Sequence, residues 1–286
     1  MELRIVSPAE HPEALRRLIS QAALTFPEQQ AASIHWTGLA LGDKLIACAG
    51  MEVHGSDGLL RSVAVSENVR RKGFGAVLLK AVMLMARMQK MNALYLFTEQ
   101  AADFFAKHGF LKTDRSALPL GIAQSEQAVA DCGAHANIMF CPVPARPPVF
   151  LVLCTGNSCR SQMAHAYLEH FLAGTGQVYS AGIETHGLNP GAVSILKEDG
   201  LDITHHTSNH VNEYQQVHFD LMLTVCDHAK EHCPWIPGDA LRIHHNFSDP
   251  SKVQGTSEEI HSAFLHTREE VKEYCRNLIS GLGIRR

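Results

Sequence analysis

The sequence predicts two α/β domains in one chain, on three observations. Strand-length apolar runs alternate with helix-length amphipathic segments along most of its length. The stretch Cys141-Pro142-Val143-Pro144-Ala145-Arg146-Pro147-Pro148 holds four prolines, and neither a helix nor a central strand continues through it. Hairpin-like strands lead the first half, whereas strands and helices alternate in the second. The domains are therefore residues 1–141 and 149–286, joined by a proline-rich linker, 142–148. The first should be a mixed sheet with flanking helices and the second a doubly wound parallel sheet. With 286 residues, 45% of them hydrophobic, the chain can fill two cores.

In the first domain, patterning predicts strand 2–6, helix 10–21, strands 36–42, 45–54 and 58–65, and helix 74–89. Strand 93–98, helix 100–108, strand 110–114, a short helix near 122–131 and strand 136–141 follow. In the second it predicts strand 149–153, helix 160–172, strand 177–181, helix 190–199, strands 218–224 and 241–244, and a long helix at 257–280.

A formal charge of −4 gives neither domain the basic footprint of a nucleic-acid binder. No run approaches the ~20 apolar residues of a membrane span. Met1-Glu2-Leu3-Arg4 lacks the basic and apolar regions of a signal peptide. The expectation is a soluble cytoplasmic protein whose eight cysteines are thiols, apart from any catalytic redox pair.

The most informative segment is Cys154-Thr155-Gly156-Asn157-Ser158-Cys159-Arg160-Ser161, between the apolar run 149–153 and a helical pattern. A strand–turn–helix order lets successive N–H groups of Thr155 to Arg160 face one centre, with the helix N-terminus behind them. A tetrahedral oxyanion fits such a nest. Cys154 is the candidate nucleophile, and the positive field should lower its pKa below ~8.5. Arg160 suits bidentate contact with oxyanion oxygens. Ser161 can hydrogen-bond the sulfur, and Asn157 can stiffen the loop. Asp249, on a loop and followed by Pro250, is the candidate acid for a leaving oxygen.

A phosphatase needs one thiolate, whereas a reductase must supply two electrons and hence a second thiol. Cys226-Asp227-His228-Ala229-Lys230-Glu231-His232-Cys233-Pro234 offers two, one short helical segment apart. Cys226 could resolve a Cys154 adduct, and Cys233 could then carry the disulfide outward. The competing reading, zinc held by Cys226, His228, His232 and Cys233, lacks the separated cysteine pairs of structural sites. No metal is expected.

Residues 149–286 resemble a thioredoxin-coupled arsenate reductase of the low-molecular-weight protein tyrosine phosphatase fold. The resemblance rests on Leu153 to Ala164, Ser180-Ala181-Gly182, Cys226 to Pro234, and Asp249-Pro250. It implies arsenate as substrate, Cys154 as nucleophile, Asp249 as acid, a relay through Cys226 and Cys233, and thioredoxin as electron donor. Cys159 is expected to be a loop residue. Some members bind potassium beside the loop through an asparagine, a serine and two carboxylates. Asn157 and Ser180 match, but His165 and Asn209 replace the carboxylates. Potassium is not expected, and a protonated His165 could partly replace its charge. His205, His206, His244 and His245 read as turn or strand-edge residues.

In the first domain, a strand ending near Val65 leads into Ser66-Glu67-Asn68-Val69-Arg70-Arg71-Lys72-Gly73-Phe74-Gly75, and a helix begins near Gly75. Gly73 and Gly75 allow close backbone approach, and the basic residues add charge for a pyrophosphate. The pattern is neither a Rossmann nor a P-loop fingerprint. It is similar to the Arg/Gln-x-x-Gly-x-Gly/Ala signature of GNAT-superfamily N-acetyltransferases. With 59–65, 94–98 and Phe104-Phe105, it resembles acetyltransferases encoded with arsenic-resistance genes. The resemblance implies acetyl-CoA, with the Val63 and Val65 backbone along pantetheine and Arg70, Arg71, Lys72, Gly73, Phe74 and Gly75 around pyrophosphate. Glu52 is the candidate base for a small amine acceptor. Many such enzymes protonate the departing thiolate with a tyrosine where this chain has Phe105, which has no proton to give.

The combined expectation is a bifunctional arsenic-detoxification enzyme. The alternatives are a low-molecular-weight phosphatase with an acetyl-CoA-binding domain and a non-catalytic sensor or scaffold.

Overall fold

The computed structural model describes residues 2–27, 33–129, 136–232, 236 and 238–284. The chain divides into two compact units, centred on Ile5–Arg146 and Pro147–Ser280. No described helix is long and apolar enough to cross a membrane.

The first unit is built on seven strands: β1 (Leu3–Val6), β2 (His35–Leu41), β3 (Lys44–His54), β4 (Asp57–Val65), β5 (Ala93–Thr98), β6 (Leu111–Lys112) and β7 (Asn137–Pro142). Their order in the sheet is β1-β2-β3-β4-β5-β7-β6. Helices α1 (Pro12–Gln21) and α2 (Phe74–Met88) supply apolar faces, burying Leu15, Leu18 and Ile19 from the first and Leu78, Val82 and Met85 from the second. Shorter helices are α3 (Ala102–Lys107), α4 (Leu120–Ala123) and α5 (Glu126–Val129). Leu39, Met51, Leu59, Leu60 and Leu94 close the core.

Among the departures from regular pairing in this sheet, two involve β4. Cys48 faces Ala64 while Gly50 faces Arg61, so β4 carries an extra residue there, and Ser62 has a left-handed φ of 52°. Such a bulge bends a strand and sharpens its twist. The parallel pairing of β4 with β5 also covers only Asp57↔Ala93 to Leu59↔Tyr95, although both strands continue. Beyond Leu59 they diverge, leaving a wedge bordered by the Leu60–Val65 backbone.

The predicted helix near 122–131 is two single turns instead, and its last two residues lie outside those described. Ser125 is the reason. Its hydroxyl donates to the Ile122 carbonyl at 2.7 Å and accepts from the Ala128 N–H at 3.3 Å, competing with a continuous helix. The predicted strand 110–114 shrinks to two exposed residues at a sheet edge, where short strands limit unwanted pairing.

The second unit has four parallel strands: β8 (Val149–Cys154), β9 (Gln177–Gly182), β10 (Leu221–Thr224) and β11 (Leu241–His244), in the order β11-β10-β8-β9. Helices α6 (Arg160–Leu172), α7 (Pro190–Glu198), α8 (Asp227–His232) and α9 (Ser257–Gly281) follow the strands in turn. Every residue of β8 is buried, which accounts for its unbroken apolar run. The chain winds one way from β8 to β9 and the other way through β10 and β11. The connections leaving β8 and β10 therefore part above their carboxyl ends, the position where open α/β sheets bind ligands.

Gly182 ends β9 opposite Cys154, and its N–H donates to the Asn209 carbonyl at 2.9 Å. A Cβ there would meet the carbonyl oxygens of Glu184 and Thr155 and the Asn157 nitrogen, the last two at 2.6 and 2.8 Å. All three are backbone atoms with no room to yield. Gly182→Ala should destabilise the second unit by about 3 kcal/mol, measured as a lowered thermal midpoint, and should weaken phosphate binding by the loop. An unchanged midpoint would show that the backbone around Gly182 yields.

Candidate active sites

In the second unit, β8 delivers Cys154 to the sheet's carboxyl edge, and residues 155–159 turn into α6. The Cys154 Sγ lies 2.8 Å from the Ser161 Oγ and accepts the Asn157 N–H at 3.1 Å. Asn157 has a φ of 45° and is fully buried. Its side-chain NH2 donates to Ser161 Oγ at 3.1 Å, and its Oδ1 accepts the Asn209 N–H at 2.8 Å. The Gln162 amide donates to the Asn157 carbonyl at 3.1 Å and the Thr207 carbonyl at 3.0 Å. Thr155, Gly156 and Ser158 turn their carbonyls outward to Glu184, His186 and Asn189 N–H groups.

Arg160 begins α6 and reaches across to the loop after β11. Its Nη1 donates to the Phe247 carbonyl at 3.1 Å and its Nη2 to Asp249 Oδ2 at 2.7 Å. Asp249 is itself fixed, its Oδ1 accepting from the Ser251 N–H and hydroxyl at 3.2 and 2.6 Å. On the far side of the crevice, Cys226 follows β10. Its Sγ lies 3.4 Å from Thr155 Oγ1 and accepts the Ala229 N–H at 3.4 Å. The structure thus assembles Cys154, Thr155, Asn157, Arg160, Ser161, Cys226 and Asp249 around one crevice. Cys233 lies outside the described residues.

Burial is the largest influence on the Cys154 thiol and pushes it up. The Ser161 hydrogen bond opposes this, the adjacent Cys226 adds to it, and the N–H groups of Asn157 and Ser158 oppose it again. The expectation of a lowered thiol is therefore reversed. The donors are present as predicted, but the dry surroundings outweigh them, and Arg160 has its charge matched by Asp249. Cys159 is pushed up to about 12, first by burial and then by Asp249. It is a buried loop thiol.

His165 and Asn209 stand where the resemblance would put the potassium-binding carboxylates. Ser180 Oγ is 3.0 Å from His165 Nδ1, and Asn157 Oδ1 is occupied by the Asn209 N–H and, at 3.3 Å, by the Gln162 amide. A nitrogen-lined position with two missing carboxylates suits a hard monovalent cation poorly.

In the first unit, α2 starts at Phe74, with Gly73 as its N-cap at φ 87° and Arg71 at φ 63°. Alternating left-handed residues before a helix turn N–H groups to one side, and the first turn of a helix leaves its own donors unpaired within it. The Arg70 Nε donates to the Val65 carbonyl at 3.1 Å, tying the loop to the end of β4 beside the wedge. Val63, Val65, Arg70, Arg71, Lys72, Gly73, Phe74 and Gly75 thus share one end of the β4–α2 connection. Phe105 packs edge-on against Phe104 and Phe110.

Glu52 is buried on β3. Its Oε1 accepts from Arg61 and its Oε2 lies 3.2 Å from His54 Nε2. Arg61 and His54 were missed from sequence. Both follow from strand register: Glu52 faces Leu59 and Gly50 faces Arg61, so Arg61 lies diagonal to Glu52, and His54 is two residues along the same face.

Known proteins bear on both halves. Residues 149–285 match the low molecular weight phosphotyrosine protein phosphatase family, and residues 32–112 match the acetyltransferase (GNAT) domain. An arsenate reductase of Halalkalibacterium halodurans is 46% identical over 123 residues, covering 43% of this chain and 88% of the relative. The solved structure of an arsenate reductase in the phosphate binding state shares 28% identity, with a TM-score of 0.40, covering 46% of this chain and 96% of its own. An N-acetylglutamate synthase from Neisseria gonorrhoeae shares 19% identity, with a TM-score of 0.43, covering 50% of this chain and 36% of its own.

The chain is a two-domain enzyme of α/β type, a low-molecular-weight phosphatase-like domain preceded by a GNAT acetyltransferase domain. Through its second domain it belongs to the arsenate reductase family.

Ser161 is the strongest hydrogen-bonding support for a Cys154 thiolate. Ser161→Ala should raise the thiol further and slow Cys154 alkylation by iodoacetamide about tenfold at pH 7. Mass-spectrometric rates across pH 6–10 test this, and superimposable profiles would exclude it.

Proposed function

We propose that the second domain reduces arsenate to arsenite and is recycled by thioredoxin, while the first transfers acetyl from acetyl-CoA to a small amine. The observation that carries the reductase reading is the presence of two thiols in one crevice. Cys154 and Cys226 are both buried, and Thr155, in the anion loop, is 3.4 Å from the Cys226 sulfur. Phosphate-ester hydrolysis needs only the first. All described cysteines are free thiols, which supports a reducing, cytoplasmic setting.

In this mechanism the anion loop and Arg160 hold arsenate over Cys154. The Cys154 sulfur displaces one oxygen from arsenic, and Asp249 supplies the proton that lets it leave as water. Cys226 then attacks the Cys154 sulfur. As the S–S bond forms, the S–As electron pair stays with arsenic, so As(V) becomes As(III) while two thiols become one disulfide. Cys233 takes the disulfide over from Cys154, forming Cys226–Cys233, and the dithiol of thioredoxin reduces it. Arg160 gives up its partner Asp249 when the anion arrives, which also frees that carboxyl to carry a proton.

For the first domain, the β4–β5 wedge and the uncapped start of α2 support acetyl-CoA. Pantetheine would lie against the Val63 and Val65 backbone and pyrophosphate against residues 70–75. Glu52, held by Arg61, would accept the amine proton directly or through His54.

Arsenate-dependent oxidation of reduced thioredoxin by the full chain tests the reductase. Cys226→Ser should reduce it to the rate without protein while leaving slow phosphatase turnover. Robust phosphatase activity with no arsenate-dependent oxidation would replace this reading with a phosphatase. Calorimetry of the full chain should show one acetyl-CoA per chain. A Cβ at Gly73 meets no atom within 4 Å but is strained at φ 87°, so Gly73→Val should weaken binding about tenfold. No binding by the unmodified chain would remove the cofactor assignment.

A further inference from the structure

His165 and Glu169 stand one turn apart on α6, and the loop after α7 brings His206 against them. The His165 and His206 rings stack with centroids 4.3 Å apart. Both Nε2 atoms face the same carboxylate: His165 Nε2 is 3.3 Å from Glu169 Oε1, and His206 Nε2 is 3.5 Å from Glu169 Oε2. The three ligand atoms lie within 4.8 Å of one another. Metal–ligand bonds of about 2.0–2.1 Å in a tetrahedron place neighbouring ligand atoms about 3.4 Å apart, and each histidine nitrogen stands at close to that distance, 3.3 and 3.5 Å, from one of the two carboxylate oxygens.

The opposite side of each ring is fixed. His165 Nδ1 meets Ser180 Oγ at 3.0 Å, and His206 Nδ1 meets Gln162 Oε1 at 3.0 Å. Gln162 presents its amide NH2 to the carbonyls of Asn157 and Thr207, so its Oε1 is the acceptor toward His206. His206 therefore carries a proton on Nδ1, and the neutral ring has its lone pair on Nε2. A lone pair aimed at carboxylate oxygens is repulsive unless a cation lies between them. Metal-ligating histidines have this arrangement, with the second nitrogen held by a hydrogen-bond partner. The His206 side chain is 5% exposed, whereas that of Glu169 is 48% exposed, leaving access for a water as fourth ligand.

We propose that His165, His206 and Glu169 form a binding site for a divalent transition-metal ion of the zinc type, attached through Gln162 to the back of the anion loop. Two nitrogens and one carboxylate favour zinc, cobalt or nickel over calcium, magnesium or potassium, which take oxygen ligands. The rival occupant of the gap is the proton, with an imidazolium donating to Glu169.

The test uses the full chain, freed of metal by chelation, with Co2+ as the probe. One equivalent should bind with visible d–d absorption of tetrahedral type, lack sulfur-to-cobalt charge transfer, and be displaced by Zn2+. The same spectrum should persist in Cys154→Ser and disappear in His206→Ala. Glu169→Gln, at a half-exposed position that leaves folding intact, should weaken Co2+ binding about a hundredfold. No stoichiometric binding, or a spectrum unchanged in both ligand variants, would overturn the site. So would NMR showing both rings doubly protonated with Zn2+ present. None of these readouts depends on arsenate reduction.

Discussion

Asn157 combines a left-handed backbone with a full set of hydrogen bonds, and the shape of the anion loop depends on that pairing. A residue with a Cβ is held there at a cost of about 1–2 kcal/mol. Asparagine tolerates the region better than most, and its amide here engages Ser161, Asn209 and Gln162 together. Its own N–H meets the Cys154 sulfur. One buried residue thus ties the nucleophile, the hydroxyl that supports it, the start of α6 and the segment following α7 into a single network. Because the network is buried, each missing partner would leave an unsatisfied polar group. The network therefore favours this conformation of the loop, as a site that positions reacting atoms requires.

The two units use the same strand–loop–helix element for different ends. In the second, the loop is buried and braced by side chains, and its positive-φ residue is asparagine. In the first, the corresponding turn is exposed, carries Arg70, Arg71 and Lys72, and places Arg71 and Gly73 in the left-handed region. No atom approaches the position of a Gly73 Cβ. An open basic turn can take up a long, highly charged ligand from solvent, whereas a closed loop selects a compact one. The sheets reinforce the contrast. β4 and β5 part after Leu59 to open a wedge within a sheet, while β8 and β10 stay paired to Thr224 and open only above their ends.

Strand–helix order and both loops were legible because each is local in sequence, whereas Cys226 and Asp249 were joined to the Cys154 loop through element order and the resemblance. A buried strand reads as an apolar run, and a nest reads as a short polar turn before a helix. What was not legible depends on register or on long-range packing. Arg61 and His54 join Glu52 only once β3 and β4 are aligned. Phe247 holds Arg160 with a backbone carbonyl, which its side chain does not reveal. His206 read as a turn residue, yet it stacks on His165 because the segment after α7 returns to α6. The Cys154 thiol shows a different limit. The donors that favour a thiolate could be read from the loop, but the burial that opposes them belongs to the folded crevice.

Burial also bears on how electrons would leave the proposed reductase site. A disulfide between Cys154 and Cys226 would join two sulfurs that are 5% and 3% exposed, out of reach of a protein reductant. Cys159 is no substitute carrier. It is as buried as the pair it would have to relieve, 6% exposed, so a disulfide moved onto it would be no nearer to solvent. Cys275 is wholly buried against the Ala164 carbonyl, and Cys48 and Cys141 are buried in the first unit. No described cysteine is therefore an exposed thiol. Of the two cysteines outside the described residues, Cys132 belongs to the sequence of the first domain, while Cys233 is seven residues beyond Cys226. The burial of every described thiol supports the proposed relay, in which the disulfide is handed from this crevice to Cys233 before thioredoxin reduces it.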